Sequence, residues 1–267
     1  RAPHKPPDAR SDRPMTWDPE QYLKFVDARS RPALDLLARL AGESPRSIVD
    51  LGCGAGNITR LLAERWPAAQ VVGIDGDPAM LAKAAATASG IVWQQAEIAD
   101  WHAAGAPDLI FSNAALHWLG DHQQLLPSLI GQLAPGGVLA VQMPANFAAA
   151  SHRILRELAA ESRWRDVLGG ARMGSVLSPA TYHQLLRPHC RQLELWETTY
   201  WQLLAGDDAV GEWMRGTTLL PYLARLDATA GERFLDAYRQ RLRAAYPQQA
   251  DGSTLFPFTR IFFVARR

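Results

Sequence analysis

The sequence predicts an α/β fold, with a largely parallel sheet covered by helices on both faces. Three observations predict it. Ile48-Val49-Asp50-Leu51 is an apolar, β-branched run that passes straight into Gly52-Cys53-Gly54-Ala55-Gly56, and Asn57 to Arg65 then carries apolar residues at helical spacing. Val71-Val72-Gly73-Ile74-Asp75 is a second buried strand ending in an acid. Three more strand-like runs, Ile91 to Gln95, Asp108 to Asn113 and Leu139 to Met143, alternate with helical stretches, as parallel βαβ units require.

The glycine turn is the first element to carry chemistry. A strand that turns through glycines into a helix offers backbone N–H groups and a helix N-terminus to a ligand, and a Cβ there would block both turn and approach. A dinucleotide fingerprint needs G-x-G-x-x-G. Counted from Gly52 the third position is Asn57, and the third glycine, Gly56, comes one residue early. Asp50 would repel a pyrophosphate, but it suits a ligand with an ammonium group and no phosphate. The run Asp50 to Gly56, D-L-G-C-G-A-G, resembles motif I of the Rossmann-like S-adenosylmethionine-dependent methyltransferases. The resemblance implies a seven-stranded methyltransferase sheet with its last strand antiparallel. It also implies S-adenosyl-L-methionine as cofactor and S-adenosyl-L-homocysteine as product.

Later residues extend the cofactor set of Asp50, Gly52, Gly54 and Asn57. Asp75 lies 75 − 50 = 25 residues after Asp50, near where such folds place a carboxylate on ribose hydroxyls, and Gly76 follows it. Two carboxylate oxygens can accept from both hydroxyls. Asp77-Pro78 reads as a helix cap and first helical position. The resemblance places Met80 of that helix against adenine, although a core methionine explains it equally well. It puts Glu97, where most relatives have aspartate, on the adenine amino group, and the N–H of Ile98 on the ring. Asn113, His117 and Trp118, after the fourth strand, complete the set, and Pro135-Gly136-Gly137 before the fifth strand is another habit of the family.

Composition narrows the function classes. The chain has 267 residues, enough for one α/β domain with an insertion, and a net charge of +1, which gives no electrostatic drive toward nucleic acid or anionic membrane. Cys53 and Cys190 form no disulfide framework, which suits a reducing cytoplasm. No apolar run reaches the roughly 20 residues needed to span a bilayer, and no His/Cys spacing suggests a metal. A monomer or weak homodimer is expected.

Arg1 to Pro14 is rich in Pro, Arg and Asp and reads as a disordered leader without a secretory signal, Met15 being a plausible original start. Residues 15–42 read as a helical cover over the core at 46–145. Asp18-Pro19 opens a helix that aligns Tyr22, Phe25 and Arg29 at i, i+3 and i+7, and Arg31-Pro32 opens a second with Leu36, Leu37 and Leu40 inward. Either these arginines lie in water, or the helices cover the cofactor's methionine end, with Tyr22 and Arg29 read as cofactor residues and Arg29 or Arg31 pairing with its carboxylate. After the core, Ala148 to Leu158 is helical, Arg163 to Ser175 reads as a mobile loop, and Gln192 to Leu203 and Arg260 to Ala265 read as strands. The largely helical stretch between them, 204–256, is too long for a turn and reads as a substrate lid.

Arg29-Ser30-Arg31-Pro32-Ala33, Trp213 with Gly216-Thr217, Pro221-Tyr222-Leu223, Ala245-Tyr246-Pro247 and the closing Phe256-Pro257 with Arg260 together resemble the trans-aconitate 2-methyltransferase family. The resemblance implies methyl transfer to a carboxylate of a small polycarboxylate. A carboxylate is already ionised near neutral pH, so no catalytic base is expected and His117 is read as a cofactor or packing residue. Arginine's planar fork suits carboxylates. The expected acceptor residues are Phe25, Arg31, Trp213, Tyr222 and Arg260, with Arg215 a further candidate. Rival readings are a same-fold methyltransferase acting on a malonyl thioester, a nicotinamide oxidoreductase, and a cofactor-binding protein without activity.

Overall fold

Seven strands form one sheet in the order β3-β2-β1-β4-β5-β7-β6, in a computed structural model that describes residues 30–87, 90–169, 171, 173–216 and 218–267. The strands are β1 Ser47–Leu51, β2 Gln70–Asp75, β3 Val92–Gln95, β4 Leu109–Asn113, β5 Val138–Pro144, β6 Gln192–Ala205 and β7 Ser253–Arg266. The first five are parallel, and β7 runs antiparallel to both β5 and β6. The order reverses between β1 and β4, and α/β sheets bind ligands in the crevice at such a switch point.

The helices are α1 Arg31–Ala38, α2 Asn57–Arg65, α3 Pro78–Ala85, α4 His122–Gln132, α5 Ala150–Ala159, α6 Ser162–Leu168, α7 Pro179–Leu186, α8 Ala209–Arg215, α9 Leu220–Leu223 and α10 Ala228–Ala245. Side chains alternate across each strand. On β5, Val138 and Ala140 join the core under α1 and α2, with Leu36, Leu37, Leu62, Phe111 and Phe262. Leu139, Val141 and Met143 join the opposite core, with Leu126, Leu129 and Phe263. A third core lies beyond the sheet, where Phe256, at the start of β7, is buried with residues of α5, α6, α8, α9 and α10.

Two boundaries differ from the sequence reading. Residues 162–168 form α6 rather than a mobile loop, because Trp164 and Leu168 fall at i and i+4 and both are buried in the third core. β7 begins at Ser253, so Phe256-Pro257 belongs to the strand and not to the lid. Proline is tolerated there because β7 pairs only with β6 over 253–259, leaving an open side for the missing donor. The largely helical insertion therefore lies between β6 and β7 over 206–252, and its described residues share a core with α5 and α6. The Tyr238 hydroxyl donates to the Ser151 carbonyl at 3.0 Å, and the Ser151 N–H donates to the Tyr246 hydroxyl at 3.1 Å. Leu36, Leu37 and Leu40 point inward as expected. Tyr22, Phe25 and Arg29 lie outside the described residues, as do the leader and the first cover helix. No helix among the described residues is long and apolar enough to cross a membrane.

Candidate active site

The glycine turn after β1 is held by the strand ends around it. The N–H groups of Gly52 and Cys53 both donate to the Ile74 carbonyl, at 2.8 and 2.9 Å. Gly52 has φ +76°, and a Cβ on it would lie 2.2 Å from that of Ala115, so only glycine fits between the two loops. Asn57 is the first residue of α2, directly after this turn.

Two acids flank the turn in different states. Asp50 is 2% exposed and accepts a 2.6 Å hydrogen bond from the Thr59 hydroxyl. Burial pushes its carboxyl up to about 7 against the lowering effect of that bond, and the nearby charge of Asp75 adds to the rise. Asp75 accepts from the Gly54 N–H at 2.8 Å through one oxygen and from the Asp77 N–H at 2.9 Å through the other. Each oxygen keeps a further lone pair, so the carboxylate is fixed and can still accept from a ribose diol. Asp77 caps α3 as expected, accepting from Ala79 N–H at 2.8 Å. Gly76 lets Glu97 approach the end of β2, since a Cβ on it would lie 2.5 Å from the Glu97 carboxylate. Ile98 begins the turn Ile98–Asp100, and its Cδ1 would lie 3.5 Å from a Cβ on Gly52. Met80 is exposed rather than part of a core, which leaves it available to a ligand.

The loop after β4 forms the facing wall. The Ser112 hydroxyl donates to the Leu51 carbonyl at 2.8 Å, locking β4 to β1 beneath the turn. Ala114 then takes φ +54°, the left-handed conformation that non-glycine residues rarely adopt outside strained functional turns, and its N–H donates to the Gln142 carbonyl at 2.9 Å. His117 is buried, its ring 4.8 Å from Trp118 and 6.0 Å from Phe147. Behind this loop, His122 bonds the Leu116 carbonyl through Nε2 at 2.8 Å and the Tyr182 hydroxyl through Nδ1 at 2.7 Å. Ser30, Asp50, Gly52, Asn57, Ile58 and Asn113 line a cavity of about 190 Å³ on the α1 face of the sheet. A larger cavity of about 470 Å³ between Trp101, His102 and α4 lies on the opposite face and holds none of the expected site residues.

Arg260 is the most informative of the expected acceptor residues. It lies on β7, on the same face as Asp50 and Asn113, paired with Pro144 of β5 and Thr198 of β6. It is 8% exposed, its Nε has no partner, and among the described residues no carboxylate lies within ion-pair distance. Its guanidinium sits over the Phe258 ring at 4.3 Å, and burial pulls its pKa down to about 10. Trp213, on the lid, reaches the same place, with its ring 6.1 Å from Phe258. Arg31 comes from the other side, its guanidinium 5.6 Å from the Tyr200 ring, and the Tyr200 hydroxyl donates to Asp35 of α1.

Two expected residues are not brought to this cluster. Tyr222 is buried in the lid's own core, stacked on Phe234 with an interplanar angle of 12°, because its ring is needed to close that core. Arg215 lies at the surface and faces Glu212 at 3.9 Å. Sequence reasoning missed Gln142, which strand register pairs with Asn113, and Asn146, which follows β5 in a turn bonded to Thr259 next to Arg260. Only strand register could have found them.

Residues 22–197 match the family model described as "Methyltransferase domain". A trans-aconitate 2-methyltransferase of Azoarcus sp. is 50% identical over 253 residues, covering 94% of this chain and 99% of that protein. The chain belongs to the trans-aconitate 2-methyltransferase family. The enzyme of that name from Acidovorax ebreus is 47% identical, over 94% of this chain and 98% of its own length. Among solved structures, an S-adenosylmethionine-dependent methyltransferase from Mesorhizobium loti superposes with a TM-score of 0.51 at 20% identity, covering 90% of this chain and 98% of its own, which shows the shared fold. The chain is thus an S-adenosylmethionine-dependent methyltransferase. Its residues fit that cofactor. Asp75 keeps lone pairs for a diol, and Asn113 presents a buried Oδ1 without a partner at the edge of the cavity above the glycine turn.

Proposed function

We propose that this enzyme methylates a carboxylate oxygen of trans-aconitate, or of a closely similar small polycarboxylate, to give a monomethyl ester. The observation that carries this reading is Arg260, a buried guanidinium with an unpartnered Nε beside the cofactor's end of the sheet. A buried charge with no counter-ion among the described residues is costly, so it calls for an anionic ligand. Arg260 takes one carboxylate of the acceptor in a forked pair, Arg31 adds a second cation at the rim, and Trp213 and Phe258 close the site against water.

S-adenosylmethionine supplies the sulfonium-bound methyl when it is bound. Asp75 and Glu97 hold the adenosine, and Asp50, Gly52, Gly54 and Asn57 hold the methionine end. Asn113, His117 and Trp118 form the wall between cofactor and acceptor. The acceptor carboxylate is already a nucleophile, so these residues act by orienting its oxygen in line with the methyl and excluding water. His117 packs against Trp118 and removes no proton. The enzyme works in the cytoplasm as a monomer or weak homodimer.

Transfer of labelled methyl to a panel of mono-, di- and tricarboxylates tests the reading. Tricarboxylates should be preferred, and the product should release methanol in base. Preference for a malonyl thioester or a neutral ester would overturn it.

A further inference from the structure

We infer that Gln142 and Asn146 form an uncharged carboxyl-binding subsite beside Arg260, one that selects acceptors with more than one carboxyl group. The inference rests on the polycarboxylate reading above and adds residues to it. Gln142 is 1% exposed and Asn146 4% exposed, and in each the amide nitrogen and the amide oxygen lack hydrogen-bond partners. Buried polar side chains are normally satisfied, and two fully orphaned amides on either side of Pro144, which pairs with Arg260, point to a ligand that completes them.

Strand register places them together. Gln142 pairs directly with Asn113 on β4 and with Phe262 on β7, and Arg260 lies two residues from Phe262 on the same face. Neighbouring strands are about 4.8 Å apart, so Asn113, Gln142 and Arg260 step across the sheet over a length that suits a small polyacid. Asn146 follows β5 by two residues, and the Ala145 N–H donates to the Thr259 carbonyl at 2.9 Å, bringing this turn alongside Arg260. The Ala114 N–H is bonded to the Gln142 carbonyl, so the subsite adjoins the loop that holds Asn113 and His117.

The chemistry suits a division of labour. Arg260 neutralises one carboxylate. A second carboxyl group needs donors, and the amide N–H groups supply them without burying another ion. The amide oxygens can accept from a protonated carboxyl. A site built this way rejects an analogue without the second carboxyl, because its own polar groups are then left unpaired.

The test uses Gln142→Glu and Asn146→Asp, which keep shape and add repulsion, with Gln142→Met and Asn146→Leu as neutral variants if those do not fold. Titration of trans-aconitate into protein saturated with S-adenosylhomocysteine, and acceptor kinetics with trans-aconitate, itaconate and crotonate, are measured on each. Trans-aconitate affinity should fall at least about tenfold, the loss expected for hydrogen bonds to charged groups. Its kcat/KM advantage over crotonate should shrink by a similar factor, while S-adenosylhomocysteine affinity stays within about twofold. Unchanged selectivity in folded variants, or a loss of S-adenosylhomocysteine binding that parallels the loss of acceptor, overturns the subsite. If wild-type protein with S-adenosylhomocysteine binds no polycarboxylate, the broader reading fails and the subsite with it. Wild-type binding with silent variants defeats the subsite alone.

Discussion

The Thr59 hydroxyl donates a 2.6 Å hydrogen bond to the Asp50 carboxyl, buried beneath the glycine turn. Even with that bond, burial holds Asp50 at about 7 against an ordinary value of 3.8. In the unfolded chain Asp50 ionises near its ordinary value, and in the native protein it keeps its proton until about pH 7. Native stability therefore falls as pH rises through this window. That rise corresponds to roughly 4 kcal/mol once Asp50 is fully ionised. Asp50→Asn should raise the melting temperature of cofactor-free protein at pH 8 and have much less effect at pH 5. Comparing the two proteins by calorimetry cancels the other titrating groups, and equal shifts at both pH values would contradict the assignment. A bound ammonium favours the ionised form, so S-adenosylmethionine affinity should rise through pH 7 in wild type and stay flat in Asp50→Asn.

Asp75 ties the glycine turn to the start of α3 while keeping lone pairs for the ribose. Asp75→Ala should weaken S-adenosylmethionine binding by roughly 1.5–3 kcal/mol, the worth of hydrogen bonds to a charged group. Titration calorimetry on the folded variant checks this, and unchanged affinity would remove the ribose role.

Arg260 should show opposite effects on stability and function. Removing a buried charge that has no counter-ion among the described residues relieves its desolvation, so Arg260→Met should melt at least as high as wild type. Acceptor kcat/KM should fall by about 2–5 kcal/mol, the usual loss when a buried charge pair is broken, with S-adenosylmethionine affinity near wild type. A destabilised variant with normal acceptor kinetics would mark Arg260 as a structural residue.

The proposed reaction makes His117 part of the wall and asks no proton transfer of it. His117→Ala should keep the pH profile of methyl transfer near neutrality, whatever its effect on rate. A rise in wild-type kcat/KM near the histidine pKa that is absent from His117→Ala would restore a base mechanism.

The glycine turn and the helix start after Asp77 were legible because their signals are local. A strand, an acid and spaced glycines specify the turn at Asp50 to Gly56, and Asp77-Pro78 specifies a helix start, whatever the rest of the chain does. The surroundings of Arg260 depend on contacts between distant segments. Gln142 sits in an otherwise apolar strand, where one amide gives no periodic signal, and only pairing with β4 and β7 puts it beside Asn113 and Arg260. The glycines and arginines of 163–175 suggested a loop, yet burial of Trp164 and Leu168 against the lid outweighs those local preferences. Tyr222 matched a family motif, but a motif does not say which way a ring faces, and this ring closes the lid's core.

The most direct test of the account is methyl transfer from labelled S-adenosylmethionine to trans-aconitate, compared with the same reaction on its methyl esters. The account expects base-labile label in the acid product and a higher kcat/KM for the free tricarboxylate than for any ester. No transfer to trans-aconitate, or faster transfer to an ester or thioester, would contradict it.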